Sequence, residues 1–282
     1  MLNYKNFIIY FVAIFSLFLG LIFEENASGG AKIDFDYLFP YIENFSFSLG
    51  EGLDFYVANT GSIIHSPVFY IIIGIIYKLL DNIFLLKAFY ILLCCTLPFL
   101  FFKILKNKYA IEKNVLLLFS LIIFISPYFR SSSIWLLGDN LSLIFFGLSI
   151  YFFNKADIHN NYDLKNCLLC LLFLILCCYI RYYYCLFSIY YLFIFYKKTN
   201  GKNFIILILF LIIFAIPAIY YLYYIILNYD FFSTVSIYSQ INFYRNGLII
   251  LSILLFYILP FGLIEKKKIL KYILDNKQFF LI

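Results

Sequence analysis

Carboxylates gather in one stretch of this sequence, residues 24–66, and they are the first candidates for chemistry. The stretch holds a single lysine, Lys32, against seven acids: Glu24, Glu25, Asp34, Asp36, Glu43, Glu51 and Asp54. A carboxylate at the edge of a membrane cavity can act as a general base toward a hydroxyl or amine acceptor. We predict that Asp34 or Asp36 is this catalytic base, with Glu24 or Glu25 as the alternative. A solvated acidic loop with ordinary helix caps is the competing interpretation.

The two aspartates flank Phe35, and their geometry depends on the local structure. On a strand Asp34 and Asp36 would share a face, whereas on a helix they would diverge. The preceding pair Gly29 and Gly30 permits a tight turn that could bring the backbone close to a substrate.

Arginine is scarce among the basic residues and is the second candidate for chemistry. Of 21 basic residues only three are arginine, and these are Arg130, Arg181 and Arg245. The planar guanidinium binds a phosphate through two parallel hydrogen bonds, which lysine cannot do. We predict that the three arginines bind an anionic, phosphorylated headgroup. The alternatives are snorkelling to the interface or pairing with an acid such as Asp139 or Asp230.

The elements that carry these residues are predicted to be membrane helices. The chain is 65% hydrophobic and 13% charged, with a mean hydropathy of +0.95, whereas a soluble domain has about 25% charged residues. Long unbroken apolar runs indicate helices rather than the alternating strands of a barrel. We predict an all-α, polytopic transmembrane bundle of about eight to ten membrane helices, forming one transmembrane domain over residues 1–282. The predicted spans are Phe7–Phe23, Ile83–Phe102, Val115–Tyr128, Leu141–Phe153, Cys167–Ile180, Tyr183–Tyr196, Phe204–Leu227 and Leu248–Ile264.

Lysine distribution predicts the orientation of these helices. Lysine-rich loops follow alternate spans, and such loops stay in the cytoplasm. The acidic loop 24–66 is then outside, with room for juxtamembrane helices, and the three arginines lie at the outer ends of helices. The short run Pro67–Tyr77 must lie along the interface or re-enter for the parity to hold, unless one span is miscounted. Trp135 is interpreted as an interfacial belt residue.

The remaining expectations concern the termini and the cysteines. Phe7–Phe23 is followed by Glu24 and Glu25 rather than by a small-residue cleavage site, so we interpret it as a retained helix and not a signal peptide. Residues 278–282 look like the start of another apolar run, so we expect a truncated C-terminus. The seven cysteines lie in apolar runs, which argues against a disulfide framework. Cys167 and Cys170 lack the further ligands that a zinc site needs, so we predict no metal site and no cofactor, with a divalent ion left open.

Two further motifs connect these features to a family. His65-Ser-Pro-Val-Phe-Tyr opens the short apolar run, and Ser126-Pro-Tyr-Phe-Arg130 is followed by Asp139 at the head of a predicted span. With the acidic first loop, this order over residues 1–155 resembles the GT-C glycosyltransferase superfamily, especially its protein-mannosyltransferase-like and aminoarabinose-transferase-like members. One proline of the family's His-Pro-Pro stretch is replaced by Ser66, and the gap from Arg130 to Asp139 is longer than in the family.

The resemblance implies an inverting membrane glycosyltransferase that moves a sugar from a polyprenyl-phosphate-linked donor to an acceptor on the non-cytoplasmic face. It implies His65 and Asp139 as substrate-binding residues beside the arginines, and membrane lipid and the lipid-linked donor as partners, with no nucleic acid. The membrane would be a bacterial inner membrane or of the endoplasmic-reticulum type. A non-catalytic transporter or flippase and a polysaccharide polymerase are the alternatives; a transporter should show helices broken near the bilayer midplane and an internal repeat. Oligomeric state, sugar and acceptor stay open.

Overall fold

The computed structural model describes residues 4–59, 66–108, 112–157, 163–228, 244–245, 247–248 and 251–252. Within these ranges every regular element is a helix, so the all-α prediction is confirmed. The α-helices are α1 Tyr4–Ile22, α2 Ala31–Phe47, α3 Leu49–Asn59, α4 Val68–Leu80, α5 Ile83–Cys94, α6 Thr96–Lys108, α7 Lys113–Leu121, α8 Pro127–Ile134, α9 Gly138–Asp157, α10 Leu164–Ile180, α11 Leu186–Lys198 and α12 Gly201–Asn228. Short 3₁₀ turns, Ile122–Ile125 and Tyr182–Cys185, precede α8 and α11.

Side-chain caps determine where several of these helices begin. The Asn82 side chain accepts hydrogen bonds from the backbone N–H groups of Phe84 and Leu85 at the start of α5. Ser126 caps α8 through the Phe129 N–H, and Pro127 occupies the first turn, where its missing N–H costs nothing. Such caps satisfy backbone donors that have no partner inside the helix.

An antiparallel pair, α9 and α10, forms the centre of the first unit. The start of α9 meets the end of α10 through Asp139 and Arg181, and midway along the pair the Ser149 hydroxyl donates to the Cys170 carbonyl at 2.9 Å. A buried apolar cluster joins this pair to α11 and α12: Ala156, Cys167, Cys170, Leu171, Leu174, Tyr191, Phe195 and Leu207. Cys167 and Cys170 are therefore packing residues in this structure.

The acidic stretch contains two helices, and the first of them packs on the short apolar helix that follows the stretch. α2 and α3 lie within residues 24–66, and α2 runs against α4. At Gly74 of α4 the two backbones nearly touch, because a β-carbon there would lie 2.9 Å from the Ile42 carbonyl oxygen. With 13 residues, α4 is roughly 20 Å long, which is too short to cross a bilayer core of about 30 Å by itself.

Fewer helices than predicted are long and apolar enough to cross a membrane. Among the described residues there are two, Ile83–Asn107 and Gly201–Tyr221, and a third if Lys113–Ile125 and Pro127–Ile134, which meet at an angle of 66°, form one broken span. Ile8–Ile22, Val68–Leu80 and Leu164–Ile180 are apolar but shorter. The structure thus contains apolar helices suited to a membrane, but it does not reproduce the predicted count of eight to ten.

Breaks and polar ends account for the difference. The predicted span Val115–Tyr128 bends at Ser126, where Pro127 cannot continue the hydrogen-bond ladder. The predicted span Tyr183–Tyr196 begins in a 3₁₀ turn, which leaves α11 with 13 residues. Leu141–Phe153 lies inside α9, whose ends carry Asp139 and Lys155. Most of Leu248–Ile264 lies outside the described residues.

Contacts divide the chain into two compact units, Met1–Ala218 and Ile219–Ile282. The acidic stretch, Arg130, Asp139 and Arg181 belong to the first unit, and Arg245 belongs to the second.

The predicted orientation can be tested by single-cysteine labelling. In a background without the seven native cysteines, we expect Ala27→Cys to react with a membrane-impermeant maleimide in intact cells. Asn200→Cys should react only after permeabilisation, because it lies between Lys198 and Lys202 in a lysine-rich loop. Both positions are exposed, so accessibility within the fold does not limit either reaction. Labelling of position 200 in intact cells would reverse the assignment of sides.

Candidate functional site

A two-pronged ion pair ties the acidic stretch to α8. Arg130 Nε donates to Glu25 Oε1 at 2.7 Å, and Arg130 Nη2 donates to Glu25 Oε2. The remaining guanidinium nitrogen, Nη1, donates to the Ser16 hydroxyl at 2.9 Å. Only 18% of the Arg130 side chain and 25% of the Glu25 side chain are exposed. Every nitrogen of this guanidinium therefore already has a protein acceptor.

The turn after α1 is what aims Glu25 at α8. Glu24 adopts a left-handed conformation with φ 51°, and the Glu25 N–H then donates to the Gly20 carbonyl at 2.7 Å. The Glu25 carboxylate passes directly over Gly20, since a β-carbon there would lie 2.5 Å from Glu25 Oε2 and 2.8 Å from Ile134 Cδ1. A larger residue at position 20 would therefore require the Glu25 carboxylate or the Ile134 side chain to shift.

The link between α8 and α9 is a tight buried turn centred on Leu136. Leu136 has φ 49°, a conformation that is costly for a branched residue and is often retained at functional sites. Its neighbours are held on both sides. Trp135 Nε1 donates to the Glu25 carbonyl at 2.8 Å, and the Tyr90 hydroxyl donates to the Leu137 carbonyl at 2.6 Å. The acidic stretch and this turn are therefore held against each other.

A second two-pronged ion pair lies just beyond this turn. Arg181 Nε and Nη2 donate to Asp139 Oδ1 and Oδ2 at 2.7 and 2.8 Å. The Arg181 side chain is 16% exposed, whereas the Asp139 side chain is 44% exposed. This arrangement is the pairing alternative expected for an arginine near a helix end, and it fastens the end of α10 to the start of α9.

Charged side chains surround the indole ring of Trp135, which is the single tryptophan of the chain. Lys87 Nζ lies 3.9 Å from the ring centroid of Trp135 and 4.2 Å from that of Phe35. Lys32 Nζ lies 5.4 Å from the Trp135 ring and forms an ion pair with Glu24. Asp36 interacts electrostatically with both lysines. We call these residues the Trp135 cluster: Glu24, Lys32, Phe35, Asp36, Lys87 and Trp135.

The two candidate bases occupy different surroundings. Asp34 and Asp36 both lie on α2 and are exposed, while Phe35 between them is buried. Two helical positions correspond to about 200°, so the carboxylates diverge, as expected for a helix. Asp34 lies in the first turn of α2, where a negative charge stabilises the helix dipole. Asp36 is the one that belongs to the Trp135 cluster.

Proton equilibria reflect these contacts. The hydrogen bond from Arg130 lowers the pKa of the Glu25 carboxyl below its ordinary value. Hydrogen bonding to Lys32 lowers the pKa of Glu24, and the same contact raises the pKa of Lys32. All three groups therefore stay charged near neutral pH.

Of the other predicted site residues, Arg130, Arg181 and Asp139 are described in the first unit and lie outside this cluster. His65 lies outside the described residues. Arg245 is exposed on a helical segment of the second unit, and its predicted role stays a prediction. Arg130 and Arg181 each pair with a separate carboxylate, Glu25 and Asp139, rather than sharing one. In the part of the chain that the structure describes, no group of three histidine, cysteine or acidic residues could hold a metal ion.

Sequence reasoning missed Lys87. The residue lies inside the predicted span Ile83–Phe102, and a lone charge in an apolar run is itself a signal of function. The orientation was predicted from the lysines in loops, and Lys87 was left out because it lies inside a predicted span.

Comparison of the chain with protein-family models, curated proteins and solved structures gives no match.

Proposed function

We propose that this chain is a multi-pass membrane glycosyltransferase of inverting GT-C type. It would transfer a sugar from a polyprenyl-phosphate-linked donor to an acceptor on the non-cytoplasmic face. The observation that carries the proposal is the exposed Asp36 carboxylate, which shares the Trp135 cluster with two lysines. A base beside cations is what transfer from a phosphate-linked donor requires.

In the proposed reaction Asp36 accepts the proton of the acceptor hydroxyl or amine. The acceptor atom then forms a bond to the anomeric carbon of the sugar. The bond from this carbon to the phosphate oxygen breaks, and its electron pair leaves with the polyprenyl phosphate. Lysine charge near Trp135 stabilises the leaving phosphate, because the oxygen gains negative charge as the bond breaks.

The arginines position this site in the proposal. The Arg130–Glu25 pair holds the start of the acidic stretch on α8, and the Arg181–Asp139 pair holds the start of α9. Between the two pairs lies the turn that carries Trp135. Such positioning is effective in catalysis because displacement of a reacting group by about 1 Å can lower a rate 10²-fold.

One observation favours a second candidate, a transporter or flippase for lipid-linked sugars. The helix pair Lys113–Ile125 and Pro127–Ile134 is bent by 66°, and Arg130 lies just beyond the break. Transporters place substrate sites at broken helices. The two functions differ in whether the donor is cleaved.

Proteoliposomes can separate these functions. The purified chain would be reconstituted with radiolabelled polyprenyl-monophosphate hexoses and pentoses and an extract containing acceptors, and the release of free polyprenyl phosphate would be measured. We expect protein-dependent release of polyprenyl phosphate that falls by about 10²–10⁴-fold in Asp36→Asn. Movement of intact donor between leaflets without cleavage would support the transporter and overturn the glycosyltransferase. If none of these donors is either cleaved or moved between leaflets, the result would count against both functions.

A further inference from the structure

The cations near the acidic stretch differ in how their hydrogen-bond donors are used. Arg130 donates through Nε, Nη1 and Nη2 to Glu25 and Ser16. Arg181 donates through Nε and Nη2 to both carboxylate oxygens of Asp139. For either arginine to bind a phosphate through its fork, a partly buried ion pair would first have to break. Such a break leaves a carboxylate without its partner, which is costly.

Lys87 is held in another way. Within the described part of the chain its ammonium has no carboxylate at ion-pair distance and no hydrogen-bond acceptor, and its contacts are the faces of Trp135 and Phe35. An ammonium carries three N–H donors. Ring faces attract it by about 0.5–2 kcal/mol, but they do not replace an oxygen acceptor. Among the described residues, therefore, no protein oxygen uses the donors of Lys87.

The position of Lys87 indicates the kind of ligand. It is the fifth residue of the apolar helical run Ile83–Asn107, so a membrane containing this run would place Lys87 near its polar boundary. Lys32 adds a second ammonium on the same Trp135 ring, at 5.4 Å. Two ammonium groups close together repel unless an anion lies between or beside them. Glu24 is paired with Lys32, and Asp36 attracts both lysines but, among the described residues, forms an ion pair with neither, so a phosphate can add to the charge they receive.

We infer that Lys87, rather than Arg130 or Arg181, binds the phosphate group of a lipid phosphate on the aromatic pair Phe35 and Trp135. This inference rests on the proposed function for the nature of the lipid. The arginines then hold the protein together around the site, and the lysine contacts the ligand. The phosphate oxygens accept from the Lys87 ammonium, and Lys32 contributes charge.

Trp135 provides a built-in reporter because it is the single tryptophan. Titration of the full chain in nanodiscs with farnesyl phosphate should change its fluorescence in a saturable way, since the ammonium on its ring moves toward the phosphate. Farnesol, which lacks the phosphate, should give no saturable change. Inorganic phosphate should act only at much higher concentration. An equal response to inorganic phosphate and to farnesyl phosphate at the same concentration would overturn the assignment to a lipid.

Matched lysine variants test the residue itself. Equilibrium filtration with radiolabelled farnesyl phosphate measures affinity without relying on the reporter. We expect Lys87→Gln to weaken binding about 10- to 100-fold, as for loss of one charged hydrogen bond, and Lys87→Arg to retain most of the affinity. Lys103→Gln is the control, because Lys103 lies on the same apolar run over the Phe99 ring, at 4.6 Å, away from the acidic stretch. Unchanged affinity in Lys87→Gln would overturn the inference.

Failure of this inference can be told apart from failure of the proposed function. Farnesyl phosphate binding that depends on Lys87, without any cleavage of a sugar donor, would leave the phosphate site standing and remove the glycosyltransferase. Sugar transfer with an unchanged KM for the donor in Lys87→Gln would retain the enzyme and remove Lys87 from the phosphate site.

Discussion

Asp36→Asn should lower sugar transfer by about 10²–10⁴-fold while leaving donor binding intact, because an amide cannot accept the acceptor proton. Asp36 is exposed on α2 and interacts with Lys87 and Lys32 of the Trp135 cluster. Its replacement removes no buried contact, so folding should be preserved. The measurement is the rate of polyprenyl phosphate release at saturating donor, with farnesyl phosphate affinity measured in parallel.

Asp34→Asn is the matched control for this variant. Asp34 is two residues away on the same helix and is equally exposed, but it lies in the first turn of α2 and outside the Trp135 cluster. We expect its substitution to leave transfer within a few-fold of the original rate. A near-native rate of sugar transfer in Asp36→Asn would mean that another acid of the stretch is the catalytic base. Glu24 would be the next residue to test. A large loss in Asp34→Asn alone would reverse the assignment between the two aspartates.

Arg130→Met should reduce the stability of the fold by about 3 kcal/mol, the lower end of the range for breaking a buried ion pair. The lower end applies because 25% of the Glu25 side chain still reaches solvent. Methionine retains the apolar stem of arginine, so the loss reflects the unpaired Glu25 carboxylate and the missing hydrogen bond to the Ser16 hydroxyl. Thermal unfolding in detergent would measure the loss as a lower midpoint.

Removing both charges together should recover part of this loss. In the double variant Glu25→Gln, Arg130→Met no carboxylate is left without a partner, so we expect the two substitutions to be less than additive by about 1 kcal/mol or more. Strict additivity would mean that the pair has no coupling and that Arg130 acts through its packing alone.

Acid pH provides an independent measure of the same pair. The hydrogen bond from Arg130 places the pKa of Glu25 below its ordinary value of 4.5. A carboxyl with a lowered folded pKa stabilises the fold above its unfolded pKa and loses that contribution as pH falls through the folded pKa. The difference in unfolding midpoint between the original chain and Arg130→Met should therefore narrow as pH falls below 4.5. A difference that stays constant would show that the ionised carboxylate is not the source.

Local features of this fold followed from sequence, whereas long-range partners did not. The apolar runs predicted helices throughout, and the divergence of Asp34 and Asp36 followed from helical periodicity. The partner of Arg130 could not be predicted, because Glu25 is 105 residues away in the chain and reaches it only through the left-handed turn at Glu24. Several acids were equally available by sequence, and the close approach of the Glu25 carboxylate to Gly20 has no sequence signature.

The predicted count of membrane spans is not reproduced among the described residues, for a related reason. A hydropathy run marks where apolar residues lie, but not where a helix bends. Pro127 marks the break in one predicted span, and a 3₁₀ turn shortens another at Tyr182–Cys185. Lys87 was overlooked because its significance depends on Phe35 and Trp135, two rings that only the fold brings to it.

The close packing of α2 on α4 has a consequence for how a substrate would reach Asp36 in the proposed function. A β-carbon at Gly74 would lie 2.8 Å from Phe45 Cβ, 2.9 Å from the Ile42 carbonyl oxygen and 3.0 Å from the carbonyl carbon of Phe45, so the two helices are in close contact with no gap between them here. A substrate is therefore not expected to pass between α2 and α4 at this point. In the proposed function, we expect a lipid-borne substrate to diffuse within the leaflet and to reach Asp36 from beside α2.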